Sequence, residues 1–328
     1  MKETISISPA VREILSRAER VIPAIEWPIH AAYIEQIMEW KKKRNAVILA
    51  HTYQTPEIYH CVADIIGDSL KLAQDAATVK ADVMVMAGVH FMAETAKLVN
   101  PNKTVLIPDL EAGCSLASSI TAADVALLRQ KYPNTPVVTY VNTSAAVKAE
   151  SDICCTSSNA VAVVESLNVP QVIFLPDEYL AAYVATQTKT RIISWKGHCE
   201  VHERFTAQEI KDIRTAHPNI VVLAHPECPP DVLQEADFIG STSAMSSFVQ
   251  KKSPQRVVMI TECSMSDNVA VDNPNVEFIR PCNLCPHMKK ITLANILTAL
   301  QEMKHEVIIP PEMSAKAMAA VHKMLAVS

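Results

Sequence analysis

The sequence predicts an α/β fold: three three-layer αβα sandwich units, related by pseudo-threefold symmetry, around a common centre. Three observations predict it. Strands alternate with helices of about 10–15 residues, the pattern of parallel sheets covered by helices. An internal repeat with a period near 85 residues runs through the chain. Cys114, Cys199 and Cys285 follow that period, 85 and 86 residues apart.

The chain has 328 residues, a length that suits two or three domains. Hydrophobic residues make up 49 % and charged residues 20 %, a balance that builds large buried cores. Thirty Lys and Arg stand against 35 Asp and Glu, a net charge of −5. The longest basic run is Lys41-Lys42-Lys43-Arg44, so charge argues against a nucleic-acid partner. No apolar run approaches the roughly 20 residues that span a bilayer, so no membrane partner is expected either. The opening MKETISISPAVREILS lacks an apolar signal core. With nine cysteines, this points to a reducing, cytoplasmic compartment, where cysteines are reduced, metal-bound or catalytic rather than paired.

Taken in order, residues 1–30 read as a helical lead-in containing Pro23 and Pro28. The first unit covers 31–113 and is completed by 286–328, the second covers 114–198 and the third 199–285. The segments from Thr121 and from Thr206 align directly. Each opens with a capping-box pattern, Thr121 to Asp124 and Thr206 to Glu209. Each then runs through an amphipathic helix to a Pro-Asn turn and an apolar strand. The segment from Ala31 repeats the order without cap or proline. The strands end at His51, Tyr140 and His225, and 17 or 18 residues later a hydroxyl residue opens a helix: Ser69, Ser157 and Thr242. Two further helices are expected at ITLANILTALQEM and PEMSAKAMAAVHKML, packed on the first unit. Only five glycines occur, each in a short polar or cysteine-bearing motif, where backbone must bend or admit a close neighbour.

The repeat makes candidates of residues that are bland singly. A lone buried cysteine is usually a small hydrophobe. Three in repeat register, each just past the last strand of a unit, converge on one point. Three thiolates would leave one iron of a [4Fe-4S] cube without a protein ligand, open to act as a Lewis acid. Cys61, Cys154, Cys155, Cys228 and Cys263 show no threefold pattern and read as structural. Cys282-x-x-Cys285 is open to a zinc or redox reading. Ser69, Ser157 and Thr242 read as helix caps that aim helix N-termini at an anionic ligand. His51, Tyr140 and His225 sit at strand ends, where open α/β sheets place ligands.

These residues lie in AHTYQTPEI (50–58), ADIIGDSLKLA (63–73), FMAETAKLVNPNKTVLIPDLEAGCSLA (91–117), TYVNTSAAVKAESDICCTSSNA (139–160), WKGHCEVHERF (195–205), HPEC (225–228), GSTSAM (240–245) and CPHMKKITL (285–293). In these motifs the chain resembles the quinolinate synthase family, from about residue 35 to 300. The resemblance implies a three-domain α/β fold and one [4Fe-4S] cluster on Cys114, Cys199 and Cys285. It implies condensation of iminoaspartate with dihydroxyacetone phosphate in NAD biosynthesis, releasing phosphate and water, and coupling to an aspartate-oxidising enzyme. It also implies substrate contacts at His51, Ser69, Tyr140, Asn142, Ser157, His225, Glu227 and Thr242. Glu227 is the main acid/base candidate, with a pKa expected to be raised by enclosure. Tyr140, His51 and His225 share in proton transfer, with Tyr53 and His202 behind them. Some family members carry CxxCxxC at the last motif; this chain has Ile279, Cys282 and Cys285, and Cys285 matches the cluster ligand. An iron–sulfur hydro-lyase acting on another hydroxy acid and a non-catalytic redox protein remain as alternatives.

Overall fold

A computed structural model describes residues 7–327. The first six residues of the expected lead-in, and Ser328, lie outside the described residues. Among the described residues the twelve strands are β1 (Ala46–His51), β2 (Ile65–Gly67), β3 (Val83–Ala87), β4 (Thr104–Leu106), β5 (Val137–Tyr140), β6 (Ile153–Cys155), β7 (Gln171–Leu175), β8 (Arg191–Ser194), β9 (Val221–Ala224), β10 (Phe238–Ile239), β11 (Arg256–Ile260) and β12 (Glu277–Ile279). They form three four-stranded sheets with orders β2-β1-β3-β4, β6-β5-β7-β8 and β10-β9-β11-β12. Every pairing within the sheets is parallel. One topology is used three times, as the repeat predicts, and the fold is α/β with three interleaved αβα units.

Local chemistry explains the repeat. Both capping boxes form: Thr121 and Asp124 exchange side-chain-to-backbone bonds, as do Thr206 and Glu209. Just before the first strand of each unit an asparagine takes the left-handed conformation: Asn45 (φ 46°), Asn134 (φ 61°) and Asn219 (φ 63°). Asparagine tolerates that region better than other residues with a Cβ. No described glycine has positive φ. Glycine therefore serves close approach here rather than the bend that was the other expectation. A Cβ on Gly197 would lie 2.5 Å from Ser119 Oγ and 2.6 Å from the Pro176 carbonyl oxygen.

An aspartate before the second strand of each unit fastens the first strand to the preceding helix. Asp64 accepts from the Ile48 amide (2.8 Å) and Lys41 Nζ (2.7 Å). Asp152 accepts from the Val137 amide (2.7 Å) and Arg129 Nη2 (2.9 Å). Asp237 accepts from the Val222 amide (2.8 Å) and Arg214 Nη2 (2.9 Å). Each is a charge-assisted bond to an amide at the start of a strand.

The core alternates as parallel strands require. In β9, Val222 and Ala224 face one apolar cluster and Leu223 faces another. The first and second sheets share one continuous core. Helix Leu293–Glu302 packs on helix Trp27–Arg44, where Arg44 caps its carbonyls at Leu300 (3.0 Å) and Gln301 (2.6 Å). Helix Pro311–Leu325 touches helix His90–Val99 of the first unit, but also Ala145–Ala149 and β6 of the second. It wedges between two units rather than serving the first alone, because its buried stripe (Ala317, Ala320, Val321, Met324) is small enough to fit both. Among the described residues no helix is long and apolar enough to cross a membrane.

Candidate active site

The C-terminal ends of the three sheets meet at one cavity, partly open to solvent. Its lining contains every residue singled out from the sequence: His51, Tyr53, Ser69, Cys114, Tyr140, Asn142, Ser157, Cys199, His202, His225, Glu227, Thr242 and Cys285. Strand termini explain the placement. His51 and Tyr140 end β1 and β5, and His225 follows β9. The cysteines lie in the loops after β4, β8 and β12.

The helix starts differ from expectation. The caps are Asp68 and Ser241, so Ser69 and Thr242 occupy the first helical position. Ser157 lies three residues before helix Ala160–Ser166, whose cap position is Asn159. The Asp68 and Ser241 side chains reach the amides three residues on, which frees the next hydroxyl in each unit to face the cavity. Asp68 is itself held by hydrogen bonds. Its Oδ2 accepts from Ser158 Oγ and Ser243 Oγ, both at 2.7 Å, so one residue from each unit meets at this point.

The cysteine loops are tied pairwise into a ring. Ser115 Oγ donates to the His198 carbonyl (3.2 Å) and accepts from the Glu200 amide (3.1 Å). His287 Nε2 lies 2.8 Å from Glu200 Oε1. Lys290 pairs with Glu111 at 2.7 Å. Each sulfur also receives backbone N–H groups from two and three residues on: Leu116 and Ala117 at Cys114, Val201 and His202 at Cys199, His287 and Met288 at Cys285. Burial pushes the Cys114 thiol up to about 12 and raises Cys199 and Cys285 too. A cation in the cavity would reverse this, since coordination deprotonates a thiol outright. All nine cysteines are free. The donor set therefore fits a thiolate-bound iron–sulfur group: three thiols from equivalent positions, each with two N–H groups aimed at sulfur. Within 4.8 Å of one another lie the donor atoms of Cys199, His202 and Glu227, a spacing for one ion. The exposed Cys282 thiol shares a hydrogen bond with that of Cys263.

A chain of polar side chains crosses the cavity. Tyr140 donates to Glu227 Oε1 at 2.5 Å. His202 Nδ1 lies 2.8 Å from Glu227 Oε2 and 3.1 Å from Cys199 Sγ. His202 Nε2 meets Thr261 Oγ1 at 2.9 Å, and Thr261 Oγ1 meets the Tyr53 hydroxyl at 2.6 Å. With the His202 proton on Nδ1, every bond has one donor and one acceptor. The His202 and His225 rings stack at 4.7 Å, and His225 Nε2 lies 3.2 Å from Ser157 Oγ.

Glu227 corrects an expectation. Burial does push its carboxyl up, but His225 and His202, and hydrogen bonds from His202 and Tyr140, together outweigh burial and hold it below the usual carboxylate range. Burial drives His225 down to about 3 against the pull of Glu227, so it is neutral near pH 7 and its charge helps to hold Glu227 ionised only in acid. The carboxylate consequently rests on the donors from His202 and Tyr140. Glu227 is poised as a base, not as a resting acid.

Sequence reasoning found the strand-end residues and missed two things. Thr261, at the end of β11, carries no motif of its own. Tyr53, Asn142 and Glu227 were chosen separately, yet each lies two residues past His51, Tyr140 or His225. The common offset was the available signal that they occupy one structural position in three units.

The family model described as NadA, Quinolinate synthetase A protein, matches residues 35–326. Quinolinate synthase 2 of Mesorhizobium japonicum is 66 % identical over 322 residues, 98 % of this chain and 99 % of the relative. Quinolinate synthase of Agrobacterium fabrum is 63 % identical over 324 residues, covering 99 % and 94 %. That of Xylella fastidiosa is 68 % identical over 294 residues, covering 90 % and 87 %. With this match running from residue 35 to residue 326, and with the repeat, the three cysteines and the strand-end residues gathered in one cavity, the chain belongs to the quinolinate synthase family.

Proposed function

We propose that this protein makes quinolinate for NAD biosynthesis by condensing iminoaspartate with dihydroxyacetone phosphate, and that Cys114, Cys199 and Cys285 hold a [4Fe-4S] cluster. The observation that carries the reading is the convergence of the three thiols, each with two N–H groups at its sulfur, on the cavity lined by the polar strand-end residues. When bound, the cluster would supply an open iron as a Lewis acid for a substrate oxygen.

The chain's own residues supply the rest. The substrates bring two carboxylates and a phosphate. Ser69, Ser157 and Thr242 hydroxyls, the ring nitrogens of His51 and His225, and the Asn142 amide are neutral donors that orient such anions. Holding both reactants in one enclosed space contributes much of the rate. Condensation forms a carbon–carbon bond, releases phosphate, and then needs isomerisation and two dehydrations. Glu227, held as a carboxylate, accepts a proton from carbon or nitrogen. Tyr140 on one side, and His202, Thr261 and Tyr53 on the other, return protons to departing hydroxyls. The imine hydrolyses in water, so an aspartate-oxidising enzyme supplies it as it is consumed.

The test is anaerobic purification with iron and sulfide analysis and a visible spectrum, for the unmodified protein and Cys114→Ala, followed by assay of quinolinate. About four irons and four sulfides, lost in the variant, support the reading. A single zinc or iron retained by Cys114→Ala and lost by His202→Ala would move the metal to Cys199, His202 and Glu227 and overturn it.

A further inference from the structure

The three residues at the shared cavity position are not held by the same means. Asn142 projects from the turn after β5. Its Oδ1 is buried with no partner among the described residues, although it lines the cavity. The carbonyls on either side of it, Val141 and Thr143, both turn away and accept from Lys148 Nζ. Lys148 is 0 % exposed. Its ammonium lies 5.5 Å from the Phe91 ring centroid and has no carboxylate salt-bridge partner among the described residues. A buried cation without a paired anion is costly, and this one lies directly beneath the turn that carries Asn142.

The first unit shows the same construction in a different residue. Asn268 Nδ2 donates to the carbonyls of Thr52 (2.9 Å) and Gln54 (2.8 Å). These flank Tyr53 as Val141 and Thr143 flank Asn142. Asn268 is also buried and reaches across from helix Ser264–Asp272 of the third unit. In the third unit Pro226 precedes Glu227, and its ring fixes φ without a clamp. Two unrelated side chains thus do the same thing at equivalent places: one buried donor bridges the carbonyls of residues i−1 and i+1, which leaves side chain i to face the cavity.

We propose that Lys148 and Asn268 are positioning residues that set the Asn142 and Tyr53 side chains for substrate. This rests on the proposed reaction and deepens it. Pinning the carbonyls of residues i−1 and i+1 anchors the backbone on both sides of residue i, so the side chain cannot swing by the ångström or so that degrades catalytic geometry.

Double-mutant cycles test it. The variants are Lys148→Met, Asn142→Ala and their combination, and Asn268→Leu, Tyr53→Phe and their combination, each cluster-loaded and each checked for its melting transition. Two quantities are read: kcat/KM for quinolinate formation, and the dissociation constant of quinolinate as a dicarboxylate probe. Lys148→Met alone is expected to lower kcat/KM on the order of ten- to a hundredfold. In the Asn142→Ala background it should cost no more than about threefold, because the side chain it positions is gone. The Asn268 and Tyr53 pair should behave alike, and decides the matter if Lys148→Met does not fold. Effects that multiply in full, or a Lys148→Met enzyme with unchanged kcat/KM, would overturn the proposal. Absence of quinolinate formation by the unmodified, cluster-loaded protein would instead overturn the reaction, and the binding cycle with the probe would still report on the clamps.

Discussion

The Tyr140 hydroxyl donates to Oε1 of Glu227 across the cavity, a bond that joins the second unit to the third. Glu227 is anionic because this donor and His202 surround it. Glu227→Gln keeps the shape and removes the base. It should lower kcat by about two to four orders of magnitude with little change in melting temperature. Tyr140→Phe leaves the His202 contact in place and should cost less, about tenfold. Quinolinate formed under anaerobic single-turnover conditions distinguishes the two; equal losses would mean that the hydroxyl, not the carboxylate, is limiting.

Acid should destabilise the fold through His51. Burial lowers its pKa from 6.5 to about 4, opposed by Asp68 and Glu227 and assisted by Lys289. Between those values the unfolded chain binds a proton that the folded chain refuses. Stability therefore rises with pH; the cost is absent above pH 7 and fully present below pH 4. It amounts to about 3 kcal/mol. Urea unfolding of the unmodified protein and His51→Gln at several pH values measures it, and the variant should lose that part of the slope.

The aspartate fastenings predict a stability change with no change in chemistry. Asp237→Ala removes the bond to the Val222 amide and the ion pair with Arg214. The ion pair is partly exposed and contributes little; the lost charge-assisted amide bond dominates, at about 2 kcal/mol. The midpoint of denaturant unfolding should fall while KM stays unchanged.

Close packing at Gly197 and backbone conformation at Asn219 predict which substitutions each position tolerates. Gly197→Ala forces a Cβ against the Pro176 carbonyl and should destabilise by about 1–3 kcal/mol. Asn219 sits at φ 63°, so Asn219→Ala should cost about 1 kcal/mol, whereas Asn219→Gly should be close to neutral. Thermal melts of the three variants order them.

What the sequence discloses about this molecule is what repeats or acts locally. Capping boxes at Thr121 and Thr206, asparagine turns, and the register of Cys114, Cys199 and Cys285 are written in contiguous residues, so sheets and cysteine loops could be placed before any coordinates. Glu227 was found, but its charge state was misread, because the donors that depress its pKa come from Tyr140, 87 positions away, and from His202. Thr261, Lys148 and Asn268 escaped for a related reason. Their roles consist of contacts with other segments, and a threonine, a lysine or an asparagine at the end of a strand or inside a helix has an ordinary local explanation.

The position two residues past each first strand holds a phenol, an amide and a carboxylate: Tyr53, Asn142 and Glu227. A ring assembled from three identical chains would have to present one side chain there three times over. Carrying all three thirds on a single polypeptide lifts that obligation. The pocket keeps the converging geometry of a trimer while its walls differ in acidity and shape, so a substrate without threefold symmetry meets a different group on each side.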